Sequence, residues 1–336
     1  MTSASGAPQP VPLGTWPTPL DPLPGLARAL GLGPDDLWIK RDDLTGLGGG
    51  GNKIRKLEWL CGQAVAAGAT HLVTTGAPQS NHARLTAAAG ARLGLEVVLV
   101  LAGTRNASAG GNLALDGLFG ATAVWAGDVH KDALATTARE VAERLRADGA
   151  VPELIPFGGS SVLGARGYAA CGRELLAQAP DLTTVVAALG SGGTTAGLVH
   201  ALGPDRVLGV HCGAVPDPAA TVAALASGLA DHDVDAETLR LRLDQVGAGY
   251  GALTEPVSAA LRLTARTEGI VLDPVYTGRA MAGLIAAVQD GDIAPGDRTV
   301  FLHTGGLPGL FGHPAALAEA EAGLAGSAAP RGVSRK

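Results

Sequence analysis

Lys53 closes a glycine run and opens a helical pattern in Arg41-Asp-Asp-Leu-Thr-Gly-Leu-Gly-Gly-Gly-Gly-Asn-Lys53-Ile-Arg-Lys-Leu-Glu58. Glycines let backbone approach a ligand closely and take positive φ angles, and a helix start offers unpaired N–H groups and a positive dipole end. A lysine at that point can touch a phosphorylated ligand. The run is not a nucleotide P-loop, which needs Gly-Lys followed by Ser or Thr, because Asn52 precedes the lysine and Ile54 follows it. Three further polar loops interrupt apolar sequence: Thr75-Gly-Ala-Pro-Gln-Ser-Asn-His82, Gly190-Ser-Gly-Gly-Thr-Thr195 and His303-Thr-Gly-Gly306.

One lysine with these loops fits an enzyme that holds pyridoxal phosphate. That cofactor needs an amine to form its imine, an anion cradle for its phosphate, a packing wall and a partner for its ring nitrogen. Lys53 would supply the amine and, released by the substrate, act as the base that removes the Cα proton. Burial and cationic neighbours would lower its pKa for that work. His82 and His303 fall beside the loops and read as hydrogen-bonded structural residues rather than bases. No His, Cys or carboxylate spacing suggests a zinc site.

The elements that must position these groups alternate. Apolar runs of strand length at His71–Thr75, Glu96–Leu101, Thr184–Leu189, Arg206–His211 and Thr299–His303 are each followed by a turn and a helical pattern. That alternation predicts right-handed crossovers and an α/β architecture of open, twisted parallel sheets with helices on both faces. Ligands collect at the carboxyl ends of such strands, so the three loops are expected to face one site. Gly and Ser cluster near Pro156–Gly167, and a second seam falls at Lys53–Lys56. The expected division is a larger cofactor-binding domain of residues 1–52 and 166–325 and a smaller inserted α/β domain of residues 53–165. The tail, residues 326–336, is small, polar and basic and is expected to be disordered.

Met1–Leu26 is rich in Pro and Gly, has no cationic residue before Arg28, and so lacks a signal-peptide pattern; it is expected to lie extended on the surface. Residues 183–204 carry no charged side chain, but Gly190–Thr195 breaks them at the centre, which favours strand, loop and helix over a membrane span. A formal charge of −6 without a long basic run argues against nucleic-acid and anionic-membrane partners, and places the chain in the cytoplasm. Cys61, Cys171 and Cys212 are widely spaced and read as buried reduced thiols.

The motifs Asn52-Lys53-Ile-Arg-Lys-Leu-Glu58, Gln79-Ser-Asn-His82, Gly158-Gly-Ser160, Asp273-Pro-Val-Tyr-Thr-Gly278 and His303-Thr-Gly-Gly306 occur in this order. Together they resemble the D-cysteine desulfhydrase and 1-aminocyclopropane-1-carboxylate deaminase family, of the tryptophan-synthase β-like pyridoxal phosphate fold, from about Trp16 to Pro314. The resemblance implies that Lys53 is the Schiff-base lysine, flanked by Asn52 at the cofactor, and that Lys56 contacts the phosphate. It makes Ser191, Gly192, Gly193, Thr194 and Thr195 the phosphate cradle, places Asn81 beside the cofactor's phenolic oxygen and sets Thr304 against the cofactor. Gln79, Ser80 and Asn81 would bind the substrate carboxylate, and Tyr250, Tyr276 and Thr277 would face a small amino acid. A homodimer with separate active sites is implied as well.

Cyclopropane deaminases of that family typically carry glutamate after the second tyrosine and an apolar residue before the paired glycines, where this chain has Thr277 and Thr304. A hydroxyl stabilises a protonated pyridine less than a carboxylate does, which suits loss of a good β substituent. The expected reaction is α,β-elimination, with D-cysteine as leading substrate and Lys53, Ser80, Tyr250 and Tyr276 as catalytic groups. Alternatives are another β-substituted alanine such as L-cysteate, deamination of 1-aminocyclopropane-1-carboxylate, and a non-catalytic cofactor-binding sensor or scaffold. Arg166 would favour an acidic leaving group if it reached the pocket, though a surface position is the stronger expectation. The glycine-rich run Gly48–Gly50 is expected to loosen the approach to Lys53.

Overall fold

The computed structural model describes residues 8–105, 110–129, 131–230 and 232–324, so the expectation for the tail lies outside the described residues. Two sheets carry the site. In the larger, β1 (Leu20–Pro22) pairs antiparallel with β2 (Leu37–Lys40), which is followed in parallel by β10 (Thr299–Leu302), β7 (Thr184–Leu189), β8 (Val207–His211) and β9 (Arg240–Arg242). The smaller is wholly parallel, in the order β5 (Thr122–Trp125), β4 (Glu96–Leu101), β3 (His71–Gly76) and β6 (Pro152–Leu154). The expected α/β architecture is present, and the five expected strands match within a residue at each end. Of the strands not anticipated, β1, β2, β5, β6 and β9, each has only three or four residues, too few for a pattern to register.

β7 shows why the central strands read as unbroken apolar runs: all its residues are buried, because helices cover both faces. Its side chains alternate with period two. Val186 and Ala188 join Ile39, Val210 and Phe301 under α1 (Pro24–Ala29), α9 (Glu255–Glu268) and α10 (Thr277–Asp290). Val185, Ala187 and Leu189 face α6 (Val162–Gln178), α7 (Gly193–Leu202) and α8 (Pro218–Ser227) through Leu175, Leu198 and Val222. The smaller sheet is covered likewise, by α2 (Lys53–Ala66) and α3 (Asn81–Leu93) on one side and α5 (Lys131–Ala147) on the other. The short helices α4 (Asn112–Leu118), α11 (Leu307–Phe311) and α12 (Pro314–Ala322) complete the chain. We propose that the domain seams fall where the chain passes between the sheets, at Lys53–Lys56 and Pro156–Gly167.

Of the segment expected to lie extended on the surface, residues 8–26 are described, and they run largely exposed or half-buried, with no helix before Pro24, pinned by a few buried side chains. Leu13 is buried in the core of the smaller sheet with Val11 and Trp16 packed against it, and Leu23 and Leu26 enter the core of the larger. Glu58 fixes the segment by accepting the N–H groups of Leu13 (2.9 Å) and Gly14 (3.0 Å) and the indole N–H of Trp16 (2.9 Å). A carboxylate contributed by α2 thus supplies the partners that a proline-rich stretch cannot find in regular structure. No helix among the described residues is long and apolar enough to cross a membrane.

A buried ionic cluster ties the sheets together. Arg55 grips both oxygens of Asp42 at 2.8 Å, donates to Glu174 at 2.9 Å and stacks on Trp16 with its guanidinium 4.1 Å from the ring centroid. Lys40 on β2 pairs with the same Glu174, and Tyr168 donates to Asp42 at 2.5 Å. Burial alone would raise the Asp42 carboxyl, but the charge and hydrogen bonds of Arg55 outweigh it and hold the group below its ordinary 3.8. Arg55→Met is therefore expected to destabilise the protein by about 3–5 kcal/mol in denaturant titration, since it strands a buried carboxylate. With the folded carboxyl lowered, the Asp42 contribution is complete above pH 3.8 and is lost as pH falls through the folded value. In Arg55→Met that part of the acid dependence should be absent.

Candidate active site

A cavity of about 440 Å³ opens between the sheets at the carboxyl ends of β3, β7, β8 and β10, where the three expected loops converge. Lys53 is the first residue of α2 and donates to Asn52 Oδ1 at 3.2 Å. Asn52 is held in turn, its Nδ2 by Thr194 Oγ1 (3.0 Å) and its backbone N–H by the carbonyl of Thr304 (3.0 Å). Burial lowers the Lys53 ammonium to about 8; the Cys212 thiol and Asp273 act in the opposite direction, and the charge of Arg84 lowers it further. Lys53 thus holds its proton less tightly than an exposed lysine, and the free, nucleophilic amine predominates above about pH 8.

Beside Lys53 the loop expected to cradle a phosphate comes together with Ser160 and Lys56. Ser160 Oγ is its hub, 2.7 Å from Ser191 Oγ, accepting from Gly193 N–H and Lys56 Nζ at 3.1 Å each. Side chains at Gly158 and Gly193 would collide with Ser191 Oγ and Ser160 Oγ, so only glycine permits this closeness. Lys56 is 1% exposed, and the bonds made by its Nζ go to the Gly158 carbonyl and the Ser160 hydroxyl. Burial and then the charge of Lys53 push it well below its ordinary value. Thr195 Oγ1 is buried without a partner among the described residues. A buried lysine without a countercharge, an unpaired hydroxyl and the start of α7 fit a phosphate dianion, and so fit pyridoxal phosphate.

On the opposite side Ser80 caps α3, its Oγ accepting from Ala83 N–H at 3.1 Å while its own proton stays free to donate. Asn81 Oδ1 accepts from Asn112 Nδ2 (3.0 Å), which leaves the Asn81 amide group as a donor. Tyr250 and Tyr276 join hydroxyl to hydroxyl at 2.8 Å, their rings edge to face. Burial holds the Tyr276 phenol well above 10, so it stays protonated. Asn52, Lys53, Lys56, Ser80, Asn81, Ser191, Gly192, Thr194, Thr195, Tyr250, Tyr276 and Thr304 all line the cavity.

Gln79, Gly193 and Thr277 lie behind that wall. Gln79 clasps the start of α4, accepting from Asn112 N–H (2.8 Å) and donating to the Gly110 carbonyl (3.0 Å), rather than facing a substrate. Thr277 is fully buried and donates to Asp273 Oδ1 at 2.7 Å. Its expected contact with the substrate is replaced by a role in the Asp273–Tyr276 turn, where Asp273 Oδ2 accepts from Val275 and Tyr276 N–H at 2.9 Å. Arg166 is exposed and sits over the Trp59 ring at 5.5 Å, in keeping with the surface expectation. His82 and His303 are hydrogen-bonded to Thr74 Oγ1 (3.0 Å) and the Val271 carbonyl (3.1 Å), as structural residues are. The three cysteines are free and buried. Sequence reading did not single out Ser160, Asn112 and Arg84; Ser160 was visible only as the end of Gly158-Gly-Ser160.

Residues 11–305 match the family model described as pyridoxal-phosphate dependent enzyme, and the chain belongs to that family. Among curated relatives, a D-cysteine desulfhydrase of Klebsiella pneumoniae is 44% identical, covering 89% of this chain and 94% of the relative. A putative 1-aminocyclopropane-1-carboxylate deaminase of Pyrococcus abyssi is 40% identical, covering 88% and 91%. A solved structure of an ACC deaminase homologue superposes with TM-score 0.85 at 36% identity, over 93% of this chain and 96% of that one. A threonine deaminase from Solanum lycopersicum, at 21% identity and TM-score 0.60 over 86% of this chain and 79% of that one, shares the fold. The protein is therefore a pyridoxal phosphate enzyme of the ACC deaminase and D-cysteine desulfhydrase group, and its relatives carry both names.

Lys56→Met is expected to weaken pyridoxal phosphate binding about 10- to 100-fold in equilibrium dialysis, the worth of charge-assisted bonds to an anion. Binding of pyridoxal without its phosphate should change little. Because the neutral amine is the nucleophile, cofactor uptake by the stripped protein should quicken with pH and level off above about 8.

Proposed function

We propose that the protein catalyses α,β-elimination from D-cysteine, giving pyruvate, sulfide and ammonia. The observation that carries this reading is the chemistry of the cavity wall: among the described residues it holds neither carboxylate nor arginine. A wall without arginine favours a neutral thiol over the sulfonate of L-cysteate as the β substituent. Asp273, the nearest candidate for a carboxylate at the cofactor ring, spends its oxygens on the Val275–Thr277 turn. The ring nitrogen is then left to a hydroxyl such as that of Thr304, a setting that suits loss of a good leaving group.

Lys53, Asn52, Lys56, Asn81, Thr304 and the Ser191–Thr195 loop would hold the cofactor, which when bound supplies the electron sink for the carbanion at the substrate Cα. Ser80 and the N-terminus of α3 bind the substrate carboxylate, aided by the dipole and free N–H groups. Lys53 Nζ takes the Cα proton. Two hydroxyls that share one hydrogen bond leave one further proton, so the Tyr250–Tyr276 pair can donate to the departing sulfur. The C–S bond breaks, sulfide leaves with that proton, and the enamine is released for hydrolysis by water. A homodimer belongs to the same reading and rests on the family resemblance, and a cytoplasmic location rests on the acidic charge without a long basic run.

With purified, cofactor-loaded protein, D-cysteine should yield pyruvate and sulfide in equal amounts, and Lys53→Ala should abolish both. Tyr276→Phe should lower kcat about 100-fold with a smaller change in KM, as loss of a proton donor does. Turnover of 1-aminocyclopropane-1-carboxylate to an oxo acid without sulfide chemistry, and none of D-cysteine, would replace this reading with the deaminase one.

A further inference from the structure

The glycine run before Lys53 is not loose. Gly48, Gly49, Gly50 and Gly51 all take positive φ (58°, 84°, 74° and 131°), conformations that side chains resist, and a run of this kind is costly to order. A fully buried arginine on α3 orders it. Arg84 Nη1 donates to the carbonyls of Gly48 and Gly50 (the latter at 3.1 Å), and Nη2 donates to Gly50 at 3.1 Å. Thr45 completes the clamp by accepting from Gly51 N–H at 2.8 Å, and the chain then enters α2 at Lys53.

We propose that Arg84 is a positioning residue for Lys53: it pins the glycine run through the Gly48 and Gly50 carbonyls and places a buried positive charge beside the reactive amine. The inference rests on the assignment of Lys53 as the cofactor-bearing lysine, not on the choice of substrate. Arg84 belongs to the same helix whose cap, Ser80, faces the substrate carboxylate, so one rigid element sets both the anion pocket and the approach to the amine. The groups facing Lys53 electrostatically are Cys212 after β8, Asp273 before α10, Lys56 on its own helix, and His82 and Arg84 on α3. Of these Arg84 is the group that stays cationic where Lys53 titrates: burial lowers it to about 10, still above Lys53 at about 8. Its bonds go to carbonyls, while the nearby carboxyl of Asp116 on α4 is pushed by burial up to about 7, with the charge of Arg84 opposing.

Competitive acetylation of the full, cofactor-stripped chain, read by peptide mass spectrometry, gives the pH midpoint at which Lys53 loses its proton, and circular dichroism checks the fold. The wild-type midpoint is expected near 8, and in Arg84→Gln it should rise by roughly 0.3 to 0.5 unit, because a like charge has gone. Arg84→Lys keeps the charge but cannot span both carbonyls. Its midpoint should stay near that of wild type while amide exchange at Gly48–Gly51 in the loaded enzyme speeds by about tenfold. A folded Arg84→Gln with an unshifted midpoint, or Arg84→Lys with unchanged exchange, overturns the proposal; if Arg84→Gln does not fold, the Arg84→Lys exchange alone decides. Borohydride reduction of the loaded enzyme and peptide mapping tests the underlying assignment separately, since a label away from Lys53 would remove the assignment itself.

Discussion

The bidentate grip of Arg55 on Asp42 is the constraint on which the site depends. Successive helical residues are turned by about 100°. Lys53 and Lys56 therefore lie about 60° apart on one side of the first turn of α2, and Arg55 points away from both. The outward side is locked to Asp42 after β2, to Glu174 on α6 and, through Glu174, to Lys40. That lock fixes the rotation of α2 about its axis, and so directs two lysines into one cavity. A hydrophobic seam alone would leave the rotation softer, because apolar contacts have no direction, whereas a guanidinium fork meeting a carboxylate does.

Among the helices that begin at the cavity are α2 at Lys53, α3 after Ser80 and α7 at Gly193. Each brings unpaired N–H groups and a positive dipole end, and the described wall contains no carboxylate to offset them. The low values of Lys53 and Lys56 follow from burial in this setting. Burial makes their ammonium forms costly, and the helix starts around them would favour two anions, in our reading a phosphate at α7 and a carboxylate at α3. An amine whose proton is loosened by burial thus stands between the two proposed anion seats.

What the sequence made legible was chemistry written contiguously. Lys53 follows its glycine run, Ser80-Asn81 follows β3, and Ser191–Thr195 joins β7 to α7, so turn chemistry and period change mark each locus without knowledge of the fold. Ser160 carried no such mark: its partners Lys56, Ser191 and Gly193 are 31–104 residues away, and only the tertiary fold brings them together. Arg84 was hidden as one more charged residue on a helix, because the groups it serves are carbonyls, which sequence patterns do not display. Thr277 was read as a pocket hydroxyl because of its place after Tyr276, yet Asp273 four residues earlier captures it, a local turn winning over a resemblance-based role. The N-terminal segment was legible as an extended surface stretch, but its proline content hides the apolar anchors Leu13, Leu23 and Leu26 that tie its described part to the two cores, with Glu58 holding its backbone.

The tyrosine pair shows how rigidity and access are divided. Tyr276 is held by the Asp273 turn at the start of α10, whereas Tyr250 is 44% exposed and flanked by Gly249 and Gly251 at positive φ. Arg279, buried on α10, ties the loop around Tyr250 through the carbonyls of Gly249 (2.7 Å) and Ala252 (2.8 Å), and His313 at the start of α12 binds the Gly251 carbonyl at 2.8 Å. The backbone on each side of Tyr250 is thus anchored, and the glycines leave the turn between the anchors room to adjust. In the proposed reaction a substrate passing Tyr250 would meet the bond between the two hydroxyls, while Tyr276 is held by the Asp273 turn. That division suits elimination, in which the proton at Cα has to be taken at a fixed point but leaving groups of different size depart toward the mouth.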